Sequence, residues 1–382
     1  MKKIILFLII PFTVFSQKIT ENFASNSLGI TREITIALPA SYERNPTKKY
    51  PVLLVLDGEF LFDAFTGALN YGSYWDDFPE VIVIGINQNK NNERITDCGY
   101  DSTDGLPSKQ ATAFFDFISA DLLPSIEKKY RTIPFRMIAG YDTTAGFLNF
   151  FLYKDNPLFN AYISLSPDLA PEMEKRIPTR LSELKKPIFY YQSIADGDTN
   201  KIKEVTKTLD DNIKLISNES VFYKYDVFEN TTHYSFVLQA IPKALYHIFE
   251  SYKPISLTEF SEKIVVLPNK HTDYLINKYS IISDKLALKI PVRLNDFKAI
   301  EAAILKNKNY EELDKLSEIA SANYPKSMLS YYELGLMYEK MDNPKKAALK
   351  YQQASQKEAI GNLTKNMMFD KYDEMKSLIS KK

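Results

Sequence analysis

Two kinds of apolar pattern alternate along the first two thirds of the chain. Short continuous apolar runs at 52–56, 81–86, 161–165 and 187–191 read as strands covered on both faces. Residues 31–39 alternate apolar and polar positions, the pattern of a half-buried strand. Residues 112–130 carry apolar side chains at helical spacing, and Pro124 is expected to kink or split that helix. A short apolar strand at 137–139 runs into Gly140 and reopens as an apolar helix. Residues 221–228 read as the last strand and 236–252 as the helix that closes the domain. Strands alternating with helical patterns predict an α/β fold, a mostly parallel sheet with helices on both faces. Ligands bind such sheets beyond the carboxyl ends of the strands. The loops of interest are therefore 57–60, 87–98, 141–144, 166–170, 196–199 and 230–235.

From about residue 257 the pattern changes to helical stripes rich in Lys, Glu, Asn and Leu. Residues 296–321 and 325–356 each read as a helical hairpin. The stretch Tyr331-Tyr332-Glu333-Leu334-Gly335-Leu336-Met337-Tyr338, followed by Asn343-Pro344 and Ala347-Ala348, resembles a tetratricopeptide repeat. Residues 363–382 read as an amphipathic helix. The predicted organisation is a sheet domain over 25–252 and an all-helical, repeat-like domain over 257–382. Those helices offer a surface for a protein partner.

The first residues change where this chain is expected to work. Lys2 and Lys3, the apolar stretch 4–15 and the polar exit around Ser16 have the order of a signal peptide over 1–16. No later apolar run reaches the roughly 18 residues that span a bilayer. The expectation is an exported protein, periplasmic or extracellular, with no transmembrane segment in its mature chain. Lys plus Arg and Asp plus Glu are both 48, so the net charge is zero and nothing points to nucleic acid. Cys98 is the single cysteine, which excludes an intrachain disulfide. Three widely separated histidines give no metal-ligand spacing, and no phosphate loop or dinucleotide fingerprint occurs, so neither metal nor cofactor is expected.

The candidate chemistry centres on Gly140-Tyr141-Asp142-Thr143-Thr144-Ala145-Gly146. A strand, a sharp turn and a helix in this order form the frame of a nucleophile elbow. Further pieces fall in a fixed order around it: Tyr50-Pro51-Val52 through Asp57-Gly58-Glu59, Arg94, Leu122-Leu123-Pro124 through Tyr130-Arg131, Ser164-Leu165-Ser166-Pro167, and His233-Tyr234-Ser235. With these motifs, residues of roughly 30–252 resemble the esterase branch of the α/β-hydrolases, the esterase D and ferric-enterobactin-esterase-like proteins. The resemblance implies an α/β-hydrolase fold, a small-molecule ester as ligand, and a G-H-S-x-G-G elbow. Here Tyr141 stands for the histidine, Asp142 for the serine, and Thr144 and Ala145 for the two glycines. The resemblance makes His233 the catalytic histidine and Asp196 or Asp198 its acid. The backbone N–H groups of Thr143 and of the chain near Gly58 become the oxyanion hole.

Asp142 has three readings. It is a nucleophile that forms a covalent ester, which His233 helps water to cleave. Or it is a replacement that leaves a non-catalytic hydrolase fold, tied by hydrogen bond or ion pair to His233. Or hydrolysis runs by another route, with Asp142 as a general base activating water or with a nearby hydroxyl, Thr143 or Thr144, substituting for serine. The loss of both the serine and the close-packing glycine favours the second, a degenerate hydrolase used for binding or scaffolding, with an active hydrolase through Asp142 and His233 as the alternative. Two more residues complete the candidate pocket. Trp75, with Phe60, Tyr74 and Asp76, would wall it, and Arg94 would clamp an anionic substrate unless it pairs with Asp97 or Asp101.

Overall fold

The computed structural model describes residues 18–381, so the expected signal peptide lies outside the described residues. The chain divides into two compact units, 1–250 and 251–382.

The first unit is built on one eight-stranded sheet. Its strands are β1 (Lys18–Ala24), β2 (Thr31–Ala37), β3 (Tyr50–Val55), β4 (Ile82–Ile86), β5 (Thr132–Tyr141), β6 (Ala161–Leu165), β7 (Ile188–Gly197) and β8 (Val221–Thr232). They lie side by side in the order β1-β2-β4-β3-β5-β6-β7-β8. The pairs β1–β2 and β2–β4 are antiparallel, and all others are parallel. The continuous apolar runs become the central strands because both faces there are covered: every residue of β3, β4 and β6 is buried. β1 is the strand that the apolar pattern does not show. It is an edge strand whose exposure alternates residue by residue along a largely polar sequence.

Helices α1 (Gly58–Tyr74), α2 (Glu93–Asp97), α3 (Lys109–Asp116), α4 (Leu123–Lys129), α5 (Thr143–Phe147), α6 (Met173–Glu183), α7 (Asn200–Lys214) and α8 (Val237–Ile248) connect the strands. On one face Phe114, Phe117, Phe147, Ile177 and Leu209 join Val52, Leu54, Ile84, Ile138 and Tyr162 in a single core. The opposite face packs against α1 and α8. The helix expected over 112–130 is divided, as its proline requires. Between α3 and α4 the chain makes a wider π-helical turn over Phe117–Leu122, and Pro124 sits in the first turn of α4, where its missing N–H leaves no gap.

The second unit is helical, with α9 (Leu257–Glu259), α10 (His271–Leu286), α11 (Leu294–Asn307), α12 (Glu312–Asn323), α13 (Leu329–Lys340), α14 (Pro344–Ser355) and α15 (Lys365–Lys381). α11 with α12 and α13 with α14 are the two hairpins expected from the sequence. Each helix from α11 to α15 packs on the next in chain order. The stripes of α11, α12 and α13 meet in a core of Phe297, Ile300, Ile304, Leu313, Leu316 and Leu336, and those of α14 and α15 in a second around Ala347, Tyr351, Met368 and Met375. No helix among the described residues is long and apolar enough to cross a membrane.

The tightest backbone approach in the sheet unit falls beside the elbow. A Cβ at Gly146 would stand 2.0 Å from the carbonyl oxygen of Asp168, and one at Gly140 would stand 2.8 Å from that of Thr144. The close approaches thus fall at glycines that the chain has, Gly140 and Gly146. Gly146→Ala should lower stability by about 1–3 kcal/mol, because the obstructing atom is backbone. Gly67→Ala, in open space on α1, should hold or raise it. Equal denaturant midpoints for the two variants would show that the elbow helix is not packed this closely.

Candidate active site

Every loop expected to matter lies at the carboxyl edge of the parallel strands. Asp57 follows β3, Arg94 lies in α2 after β4, Asp142 follows β5, Ser166 follows β6, and Asp198 and His233 follow β7 and β8. The backbone there is strained. Asp142 has φ 55° and ψ −113°, outside every region comfortable for an L-residue and held by its surroundings. Asp142 N–H donates to Leu165 O at 2.9 Å, and its carbonyl accepts from Gly146 N–H at 3.0 Å and Asp168 N–H at 3.1 Å. This is the sharp strand-to-helix turn of an elbow, with an aspartate at its tip.

His233 is paired with Asp198. Its Nδ1 stands 2.5 Å from Asp198 Oδ1, and the other carboxylate oxygen accepts from the Ala195 N–H at 2.8 Å and from the Ser166 hydroxyl. The Asp198 side chain is fully buried, and the imidazole is 23% exposed. The ring of Tyr141 lies 4.8 Å from that of His233, and its hydroxyl donates to the His233 carbonyl at 3.1 Å. Burial first, then the nearby Asp142 charge, pushes the Tyr141 hydroxyl far above its ordinary pKa, so it stays a neutral donor.

Asp196 is placed elsewhere. Its carboxylate accepts from the N–H groups of Asn230 at 2.5 Å and Thr231 at 2.9 Å. It fastens the β7 and β8 ends together and does not meet the imidazole. Those backbone bonds hold its carboxyl below the usual range.

Arg94 is not free to clamp a substrate. Its Nε donates to Asp57 Oδ1 at 2.7 Å, Nη2 to the Tyr141 carbonyl at 2.7 Å, and Nη1 to both Asp142 Oδ2 and Thr143 Oγ1 at 3.3 Å. Neither Asp97 nor Asp101 is its partner: Asp97 pairs with Arg32 at 2.9 Å, and Asp101 accepts from Thr103 N–H at 2.7 Å. Burial opposes the Arg94 charge, but Asp57 and then Asp142 outweigh it and hold its pKa above the ordinary value. Asp57 is fully buried in a left-handed backbone conformation, and its Oδ2 accepts from the Thr144 hydroxyl at 2.7 Å. That hydroxyl also accepts from Tyr141 N–H at 2.8 Å, which accounts for a β-branched residue in this turn. Asp57 is a residue of this edge that sequence pattern alone does not mark as a charge partner.

Gly58 and Thr143 are the first residues of α1 and α5, where backbone N–H groups have no partner inside the helix. Both are therefore suited to an oxyanion. Trp75 is not near them. It caps the far end of α1, about 25 Å along a 17-residue helix, and is 61% exposed against Tyr74. Phe60, in the first turn of α1, is the aromatic that does approach the elbow, 6.0 Å from the Tyr141 ring. Among the described residues no group of three or more His, Cys, Asp or Glu is arranged to hold a metal ion.

A mostly parallel sheet, an elbow after its central strand and an acid–histidine pair after its last two strands define an α/β-hydrolase. The chain belongs to the family described as "Putative esterase", whose profile matches residues 25–228, more than half of its length. The structure is similar to that of an uncharacterised protein from Capnocytophaga ochracea DSM 7271, with 28% identity and a TM-score of 0.87 over 94% of this chain and 100% of that one. An IroE-like serine hydrolase from Shewanella oneidensis shares the fold at 22% identity and a TM-score of 0.60, over 80% of this chain and 99% of that one. The BES protein from Bacillus cereus does so at 20% identity and 0.52, over 64% and 98%. No curated protein matches the sequence.

Removing Arg94 should expose how much the edge depends on it. Arg94→Met leaves Asp57 buried without its cation, an expected loss of about 3–5 kcal/mol. Burial raises the Asp57 pKa even with Arg94 present, and losing Arg94 removes its main opposing influence. A carboxyl raised in the folded state contributes most below its unfolded value and loses that contribution as pH rises through its folded value. The gap in unfolding free energy between variant and wild type should therefore be largest near neutral pH and shrink toward pH 4. A gap independent of pH would rule out Asp57 as its source.

Proposed function

We propose that this protein is an exported, degenerate member of the esterase family. It holds a small ester or related carbonyl ligand at the carboxyl edge of its sheet and offers its tetratricopeptide-like helices to a protein partner, in the periplasm or outside the cell. The observation that carries this reading is the 3.3 Å contact from Arg94 to Asp142. A serine at the elbow presents a hydroxyl that a histidine can deprotonate. A carboxylate has no such proton to give, and here one of its oxygens is occupied by Arg94 and Thr143. Attack by that carboxylate would convert it to a neutral ester beside a partly buried guanidinium and forfeit the ion pair. Binding makes no such demand. The N–H groups of Gly58 and Thr143 remain suited to a ligand carbonyl.

The active-hydrolase reading has one observation in its favour. The Asp198–His233 pair keeps the short Nδ1 contact of a working relay, so the parts that would activate water are present. Intact-protein mass and turnover with short esters, haloalkanes and epoxides separate the two readings. The expected result is neither adduct nor turnover for wild type, and ester hydrolysis appearing in Asp142→Ser that disappears when His233→Ala is added. An adduct or turnover in wild type that vanishes in Asp142→Asn would establish an aspartate nucleophile and overturn the binding reading.

A further inference from the structure

The helical unit contains a cavity of about 210 Å³ between α11, α13 and the turn at 360–363. Phe297, Leu329 and Leu363 give it apolar walls, the Tyr332 ring borders it, and Glu301 and Glu333 line it. Glu333 occupies a core position. It continues the stripe of Leu329, Leu336 and Met337, all buried on the same face of α13. It is fully buried, and neither carboxylate oxygen has a hydrogen-bond partner among the described residues. A buried carboxyl without a partner costs several kcal/mol, so a leucine would serve the fold better at this position.

The nearby charges do not supply the missing partner. Lys298, on α11, lines the same cavity but is exposed. Lys371, on α15, donates to Glu339 at 2.8 Å, as does the Tyr351 hydroxyl at 2.5 Å. The Tyr332 hydroxyl reaches only Glu301, at 3.5 Å. Two carboxyls in an apolar, aromatic-edged cavity with no committed cation have the chemistry of a receptor for an organic cation.

We propose that this cavity binds an alkylammonium group, with the ammonium against Glu333 and Glu301 and the methylene stem on Phe297, Leu329 and Leu363. The volume admits about seven water-sized atoms at about 30 Å³ each, the size of a short aliphatic amine or a lysine side chain. Ammonium recognition by these two acids is independent of the elbow. Burial, and then the charge of Glu301, raises the Glu333 carboxyl well above the usual range. Burial also raises Glu301, against Tyr332, Lys371 and Lys298. Binding an ammonium should therefore expel a proton from the pair, and affinity should strengthen with pH by up to about tenfold per unit while the acid remains protonated in the free protein.

Calorimetric titration of the full mature chain tests this with n-pentylammonium, with Nα-acetyl-lysine amide, and with n-pentanol as the neutral isostere. Ammonium binding with a buffer-dependent enthalpy is expected, with pentanol at least about tenfold weaker. Glu333→Gln should weaken the amine at least about tenfold and remove the proton release. Glu301→Gln, less buried, should weaken it by a smaller factor and keeps the question answerable if the first variant is unstable. Tighter binding of the free amine would identify a small-molecule ligand, and tighter binding of the lysine derivative a partner's side chain. Pentanol binding as well as the amine, amine binding unchanged in Glu333→Gln, or no amine binding up to millimolar concentration would each overturn the proposal.

Discussion

A guanidinium held between two carboxylates organises the carboxyl edge of this sheet. Arg94 joins Asp57 and Asp142, so the loops after β3, β4 and β5 meet at one side chain. Asp57 would otherwise be a fully buried charge in a left-handed turn. It is also reached by Gln88, whose Oε1 accepts from Asp57 N–H at 3.3 Å and whose Nε2 donates to Asp97 at 3.3 Å. Asp97 in turn pairs with Arg32 on the antiparallel β2. Three ion pairs and an amide thus form one polar chain from the antiparallel side of the sheet, where it is buried, to the partly exposed elbow. Such networks stabilise most when each member is satisfied, and here the Arg32 Nε has no hydrogen-bond partner among the described residues. The N-termini of α1 and α5, which carry the candidate oxyanion donors, are fixed by the same chain.

The sheet was legible in the sequence to the extent that its strands are covered on both faces. β3, β4 and β6 have to be apolar throughout, and runs that short are too brief for a buried helix. β1 escaped because an edge strand needs only alternate apolar positions, here Ile19 and Phe23, separated by Thr20, Glu21 and Asn22. The helical hairpins were legible from their stripes. Glu333, inside such a stripe and without a hydrogen-bond partner, contradicts that pattern. Contradictions of this kind mark functional sites more often than errors of folding.

The site was less legible because its decisive contacts join residues far apart in sequence. Arg94 and Asp57 are separated by 37 positions, and no spacing rule relates them. Asp196 and Asp198 could not be told apart by alternation along a strand, which would put both on one face. The β7–β8 register shifts between Ala195 and Gly197, and the Asp198 N–H turns back to the Ala195 carbonyl at 3.2 Å, so the two carboxylates face different neighbours. Trp75 was misleading for a simpler reason. It follows the β3 end closely in sequence, but the intervening residues form a straight helix that carries it to the opposite end.

The side chains of the elbow are physically connected. Asp142 and Thr143 both contact Arg94 Nη1, and Thr144 donates to the carboxylate that holds Arg94 in place. Tyr141 packs on His233 and donates to its carbonyl. Four consecutive side chains act on the same two partners, the Arg94–Asp57 pair and His233. A turn tied together in this way holds its shape through the ion pair at its centre. The position of the Asp142 carboxylate is therefore set by Arg94 and Thr143 together, and through Arg94 by the buried Asp57.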